Sequence, residues 1–174
     1  MTPDHVRTLA RYNAWQNAQL IDIFATAGAG DLCADRGAFF GSILGTANHV
    51  LWADQMWMSR FADVAPPSVP LPDSPRLTAN AEGWGGRRRD LDARILDWAA
   101  ALTHSDLDRD LVWFSGSAQS DIRRAMAICV THMFNHQTHH RGQIHAMLTS
   151  AGLAAPVSDL VFMPDLETRT EENG

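Results

Sequence analysis

The chain has 174 residues, enough for one well-filled core and too few for two comfortable domains. At 45% hydrophobic and 20% charged it has the composition of a soluble globular protein, and a net charge of -6 with pI near 5.7 gives no basic footprint for nucleic acid or an anionic membrane. Met1–His5 lacks a signal-peptide pattern, no run of about 18 apolar residues occurs, and Cys33 and Cys129 lie far apart without a C-x-x-C, so a cytoplasmic protein without membrane partner, disulfide framework or zinc finger is expected.

Thr2-Pro3-Asp4 reads as an N-cap followed by proline at the first helical position, opening a helix that runs to about Thr26, before the Gly28-Ala29-Gly30 break. Its stripe of Val6, Leu9, Asn13, Gln16, Leu20 and Phe24 holds two amides, and Asn13 either lines a polar cavity or marks the wet edge of the stripe. Gly30 to Gly41 reads as a loop or short turn, followed by a second helix from about Ser42 to Asp63. There His49 shares a face with Ser42, Gly45, Ala53 and Met56, whose small members let another helix approach. Trp52 and Trp57 flank it and either wall a pocket or fill the core. Five prolines between Ala65 and Pro75 exclude a helix and predict an extended surface connection.

A third helix is expected from about Thr78 or Glu82 to Leu102, with Trp84, Leu91 and Trp98, joined by Arg88, Ile95 and Leu102, as an a/d-like seam. Arg87-Arg88-Arg89 is expected to form a solvated face, the alternative being a clamp for an anionic substrate. Leu107 to Gln119 breaks the helical period, and L-V-W-F followed by S-G-S predicts a small hairpin. Ser120 is then placed as the cap of a fourth helix, from Asp121 through Ser150, stopped by Gly152 with Pro156 beyond. Val157 to Met163 reads as an extended piece or short turn and Thr168–Gly174 as a frayed polar tail, leaving a single domain over residues 1–167.

Five of the eight histidines fall at His132, His136, His139, His140 and His145 of the fourth helix. With His136 as reference, His140 and His132 lie about 40° to either side, His139 roughly 60° away and His145 on the far side. The apolar stripe of Cys129, Met133 and Met147 centres between His136 and His140, so this i, i+4 pair points at the core. Two buried imidazoles without a metal need partners for four ring nitrogens, which favours a ligand role. His49 offers the third nitrogen, and His139 is its competitor on the fourth helix. Three imidazoles with an open position is the arrangement of a catalytic rather than a structural ion, and the donor type suits zinc or nickel equally. Glu occurs only at positions 82, 167, 171 and 172, with no Glu-x-x-His, which argues against a carboxylate-bridged di-iron centre. Four helices with a proline-rich crossover predict an all-α, antiparallel four-helix bundle.

The segments N-H-Q-T-H-H-R-G-Q at Asn135–Gln143, A-N-H-V-L-W-A-D at Ala47–Asp54 and Y-N-A-W-Q-N at Tyr12–Asn17 resemble the DinB (damage-inducible) superfamily of small helical metalloproteins, over most of the chain. The resemblance implies a DinB-like up-up-down-down bundle with long crossovers, a divalent metal on His49, His136 and His140, and a homodimer. It also implies kinship with S-transferases and isomerases that use bacillithiol, mycothiol or glutathione. On that expectation the cofactors are a divalent transition metal and a low-molecular-weight thiol, and the partner is a small electrophilic substrate. Asn13 and Trp52 are candidates for pocket lining, and Asn135 and Gln143 for orienting the ligand rings. No carboxylate nominates itself as general base, so the catalytic residues are unassigned. The competing readings are a non-enzymatic, stress-associated metal-binding bundle and a metal-dependent hydrolase of small molecules.

Overall fold

Three of the four long helices begin where a side chain accepts a hydrogen bond from an otherwise orphaned N–H. Helix α1 (Pro3–Thr26) is capped by Thr2, which accepts from His5 N, and has Pro3 in its first turn. A short α2 (Ala29–Cys33) follows, then α3 (Ile43–Phe61), capped by Ser42, and α4 (Ala81–Ala101), capped by Asn80. The short α5 (His104–Asp108) carries a capping box between Thr103 and Asp106. Two antiparallel strands, β1 (Asp110–Ser115) and β2 (Ser120–Ala125), lead into α6 (Met126–Ser150). Helix α6 ends at Gly152, whose φ of 71° is left-handed, with Leu153 N donating to Leu148 O as in a Schellman motif. The structure, a computed structural model, describes residues 1–116 and 118–164.

The architecture is mostly helical with one small hairpin. Helix α1 packs chiefly on α4 and α3 on α6, while α3 also meets α4. Their buried stripes merge into one apolar core that includes Val6, Phe24, Leu51, Trp84, Ile95 and Met133. Phe24 and Trp84 meet at 4.9 Å with their planes tilted by 44°, and Trp84 Nε1 donates to Ala47 O, so the indole is buried with its one polar atom satisfied.

Three local expectations are corrected. Ser120 does not cap the last helix: residues Ser120–Ala125 pair with β1 in the register Asp110↔Ala125 to Ser115↔Ser120, and the helix starts at Met126. Pairing with L-V-W-F supplies ladder hydrogen bonds that the early turns of a helix would leave unmade. The proline-rich connection is not extended throughout, because Leu71–Arg76 forms a 3-10 helix against α3 with Ser74 buried. The three arginines do not share a solvated face: Arg89 is exposed, Arg87 is half-buried, and Arg88 is fully buried. The expected tail 168–174 lies outside the described residues. No helix among the described residues is long and apolar enough to cross a membrane.

Candidate metal centre

Helices α3 and α6 bring three imidazole edges to one point. His136 Nε2 lies 3.3 Å from His49 Nε2 and 3.1 Å from His140 Nε2, and one nitrogen from each ring falls within 4.8 Å of the others. The i, i+4 spacing within α6 accounts for one of these approaches and the packing of α6 on α3 for the other. His49 and His140 are 5% and 7% exposed, while His136 is half-buried.

The outer nitrogens determine what the inner ones can do. His140 Nδ1 is 2.7 Å from Gln143 Oε1, which can only accept, so the ring proton sits on Nδ1 and the Nε2 lone pair faces inward. The Gln143 amide is oriented in turn by His139, whose Nε2 lies 3.3 Å from Gln143 Nε2. His49 Nδ1 is 3.0 Å from the buried Ser74 Oγ, which can take its proton in the same way. His136 Nδ1 is buried and without a hydrogen-bond partner among the described residues. Burial, reinforced by the neighbouring rings, pushes His49 down to about 3 and His136 down to about 4, and burial lowers His140 as well. The cluster is therefore neutral at pH 7 and presents lone pairs to one another at close range. Neutral acceptors facing each other repel unless a proton or cation lies between them, and imidazole nitrogen is a donor that divalent transition metals accept. The residues present fit such an ion.

The surroundings hold these rings in place. Phe40 stacks on His49 at 3.7 Å and 20°, and its ring also lies 5.4 Å from His140. It belongs to a tight turn closed by Gly41 N donating to Ala38 O, where Gly41 has φ 76°. A Cβ at Gly45 would overlap the Phe40 carbonyl oxygen, so this turn rests on the start of α3 because residue 45 has no side chain. On the other side Asn48, adjacent to His49, donates to Pro75 O and Thr78 O and accepts from Thr78, which fixes the segment that carries Ser74. Trp52 lies parallel to His49 at 6.3 Å and donates Nε1–H to Val69 O of that segment.

Sequence reasoning named His49, His136, His140, Trp52 and Gln143, and the structure brings all five together. His139 is exposed, next to His140, and contacts Gln143 rather than joining the three nitrogens. Asn135 is exposed. Asn13 is fully buried with both ends of its amide committed: Nδ2 donates to Asp92 Oδ1 at 3.0 Å and Oδ1 accepts from Arg141 at 2.6 Å. It belongs to a second polar cluster in which Arg88 bridges Asp54 at 2.6 Å and Asp92 at 2.7 Å, with Asn17 also donating to Asp92. Burial pushes the Asp54 carboxyl up, against the pull of Arg88. Arg88 is itself held charged by Asp92 and Asp54 despite its burial. Phe40 and Ser74 were not singled out from the sequence, since both reach His49 through turns whose folding is not local. Two cavities of about 500 and 530 Å³ lie against α4, one beside α1 and α2, the other along α1, and neither is lined by the three histidines.

No curated protein matches the chain. The crystal structure of a DinB-like protein from Bacillus cereus superposes with a TM-score of 0.64 at 18% identity, covering 84% of this chain and 90% of that one, which establishes a shared fold. The profile of the DinB family matches residues 2–173. With a match over nearly its whole length, the chain belongs to the DinB family.

Proposed function

We propose that this protein is a divalent-metal-dependent S-transferase or isomerase that brings a low-molecular-weight thiol to a small electrophilic molecule, with His49, His136 and His140 as ligands of zinc or nickel. The convergence of three neutral Nε2 atoms, two with ring protons directed to Gln143 and Ser74, carries the reading. A divalent ion held by these three rings would supply Lewis acidity that lowers the pKa of a thiol or water bound to it. Gln143 and Ser74 keep the lone pairs of His140 and His49 aimed inward, Phe40 stacks on His49 at 3.7 Å, and Trp52 lies parallel to it at 6.3 Å. The family resemblance supports the remaining elements: an up-up-down-down four-helix bundle, a homodimer, and work in the cytoplasm with bacillithiol, mycothiol or glutathione.

Metal analysis of the purified protein and of His49→Ala is the first test. Roughly one divalent ion per chain is expected for the wild type and a large loss for the variant. A wild type that binds no divalent metal, with a variant unchanged in both metal content and Tm, would overturn the three-histidine site. The metal-replete protein is then supplied with each thiol and a model electrophile, and thiol consumption is expected. Failure with all of them would favour the hydrolase or the non-enzymatic metal-binding reading.

A further inference from the structure

Beside the three histidines runs a continuous wall of rings. His132, one turn before His136 and 5.8 Å from it, meets Trp57 edge-on at 5.2 Å, and Trp57 meets Trp113 of β1 at 5.6 Å. The Arg60 guanidinium closes the series, with Cζ 4.6 Å from the Trp57 centroid and 5.1 Å from that of Trp113. Its planar face is thus spent on two indoles, while among the described residues it makes no hydrogen bond and no ion pair. A half-buried cation with N–H donors unspent at its edge is an unfinished contact. Burial lowers its pKa, the nearby Cys129 thiol is itself kept neutral by burial, and no ion pair between Arg60 and a carboxylate occurs among the described residues.

We propose that Arg60, held by Trp57 and Trp113, is a specificity-determining residue that receives the carboxylate of the small molecule whose reacting end lies at His49, His136 and His140. The proposal rests on the metal-centre reading above. A guanidinium edge presents paired donors that match a carboxylate in a fork, and one positive charge balances one carboxylate. The indoles hold the guanidinium plane still, so less side-chain freedom is lost when the anion docks. His49 and Arg60 are three turns apart on one face of α3, about 16 Å along the axis. The rings bridge that interval in steps of 5.8, 5.2 and 4.6 Å from His136 through His132 and Trp57 to Arg60, which suits an extended thiol or electrophile with its charge at the far end. The indole and imidazole edges between them would contact the apolar middle of such a molecule.

A structural reading of the same residues is that Arg60 fastens the hairpin to α3 and complements the C-terminal end of the helix dipole. That role cannot distinguish a carboxylate from an alcohol. The test loads the full chain with Co²⁺ and titrates it with 6-mercaptohexanoate and, separately, with 6-mercaptohexanol, following both Co²⁺ absorption and tryptophan fluorescence. The carboxylate is expected to bind about tenfold more tightly than the alcohol, a preference lost in Arg60→Gln and partly kept in Arg60→Lys. If both thiols change the Co²⁺ spectrum equally and Arg60→Gln alters neither affinity, Arg60 has no such role while the metal-thiol reading stands. If neither thiol changes that spectrum but the carboxylate still perturbs the fluorescence in an Arg60-dependent way, the thiol reading fails and the Arg60 site survives. No response of either signal overturns both. An Arg60→Gln protein that does not fold leaves Arg60→Lys and the wild-type preference between the two probes to decide.

Discussion

Two polar clusters lie inside this protein, and they differ in whether their charges close on themselves. Around Arg88 and Arg141 sit Asp54 and Asp92, two cations against two anions, with Asn13 and Asn17 hydrogen-bonded between them. Around His49, His136 and His140 no counter-charge lies among the described residues, and three Nε2 atoms converge while the ring protons of His49 and His140 are drawn outward to Ser74 and Gln143. Both clusters draw on α3 and α6, but the Arg88 cluster also takes residues from α1 and α4 and is the more deeply buried of the two. Burial alone therefore does not mark a site; converging donor atoms without a counter-charge do.

The sharpest way to break this contrast is Arg88→Met. It removes both ion pairs and leaves two buried carboxylates with Arg141 as the one remaining cation, and is expected to cost about 3–5 kcal/mol in urea unfolding, with metal content per folded chain unchanged. A loss under about 1 kcal/mol would show that the balanced cluster is dispensable. On the other side, Gln143→Leu removes the acceptor that fixes His140. Metal affinity should fall roughly 10–100-fold, with little change in the unfolding midpoint of the metal-free protein.

Protons offer a third test, applied to the metal-free chain. Unfolded histidine titrates near about 6.5, whereas burial holds folded His136 near about 4 and His49 near about 3. Between those values the unfolded state binds more protons, so stability is full above about pH 6.5 and declines as the pH falls toward 4 and then 3. The urea midpoint followed across that range should fall less steeply in a His49→Ala/His136→Ala variant, and equal slopes would contradict the neutral-ring picture. The smallest effect is expected from Ser42→Ala, which removes the cap of α3 and touches neither cluster. It should cost about 1 kcal/mol and leave metal binding unchanged.

Much of this was legible in the chain because its signals are local. Thr2-Pro3-Asp4 and Gly152 mark helix ends by the chemistry of their own backbones, and the phase of His136 and His140 follows from helical geometry. The helical reading of S-D-I-R-R-A failed because a partner strand ten residues upstream decided its conformation. Arg87-Arg88-Arg89 read as a charge run because its counter-ions are scattered: Asp92 lies one turn away, but Asp54 is on another helix. Asn13 was singled out correctly as unusual on its stripe, yet what it meets is Arg141 and Asp92 rather than a cavity, and no feature of α1 reveals that. Ser74 was hidden by the prolines around it, which signal loop and conceal the turn that delivers its hydroxyl to His49.

Gly45 draws a practical consequence from the turn that carries Phe40. It touches no histidine, yet a single methyl there would push the Phe40 carbonyl away and lift the ring from His49. An ion held by the three rings is then expected to exchange faster in Gly45→Ala, with every ligand unchanged, as a chelator-competition time course would show. A mutational survey guided only by distance to the three nitrogens would pass over this position, although it sets where the Phe40 ring lies against His49.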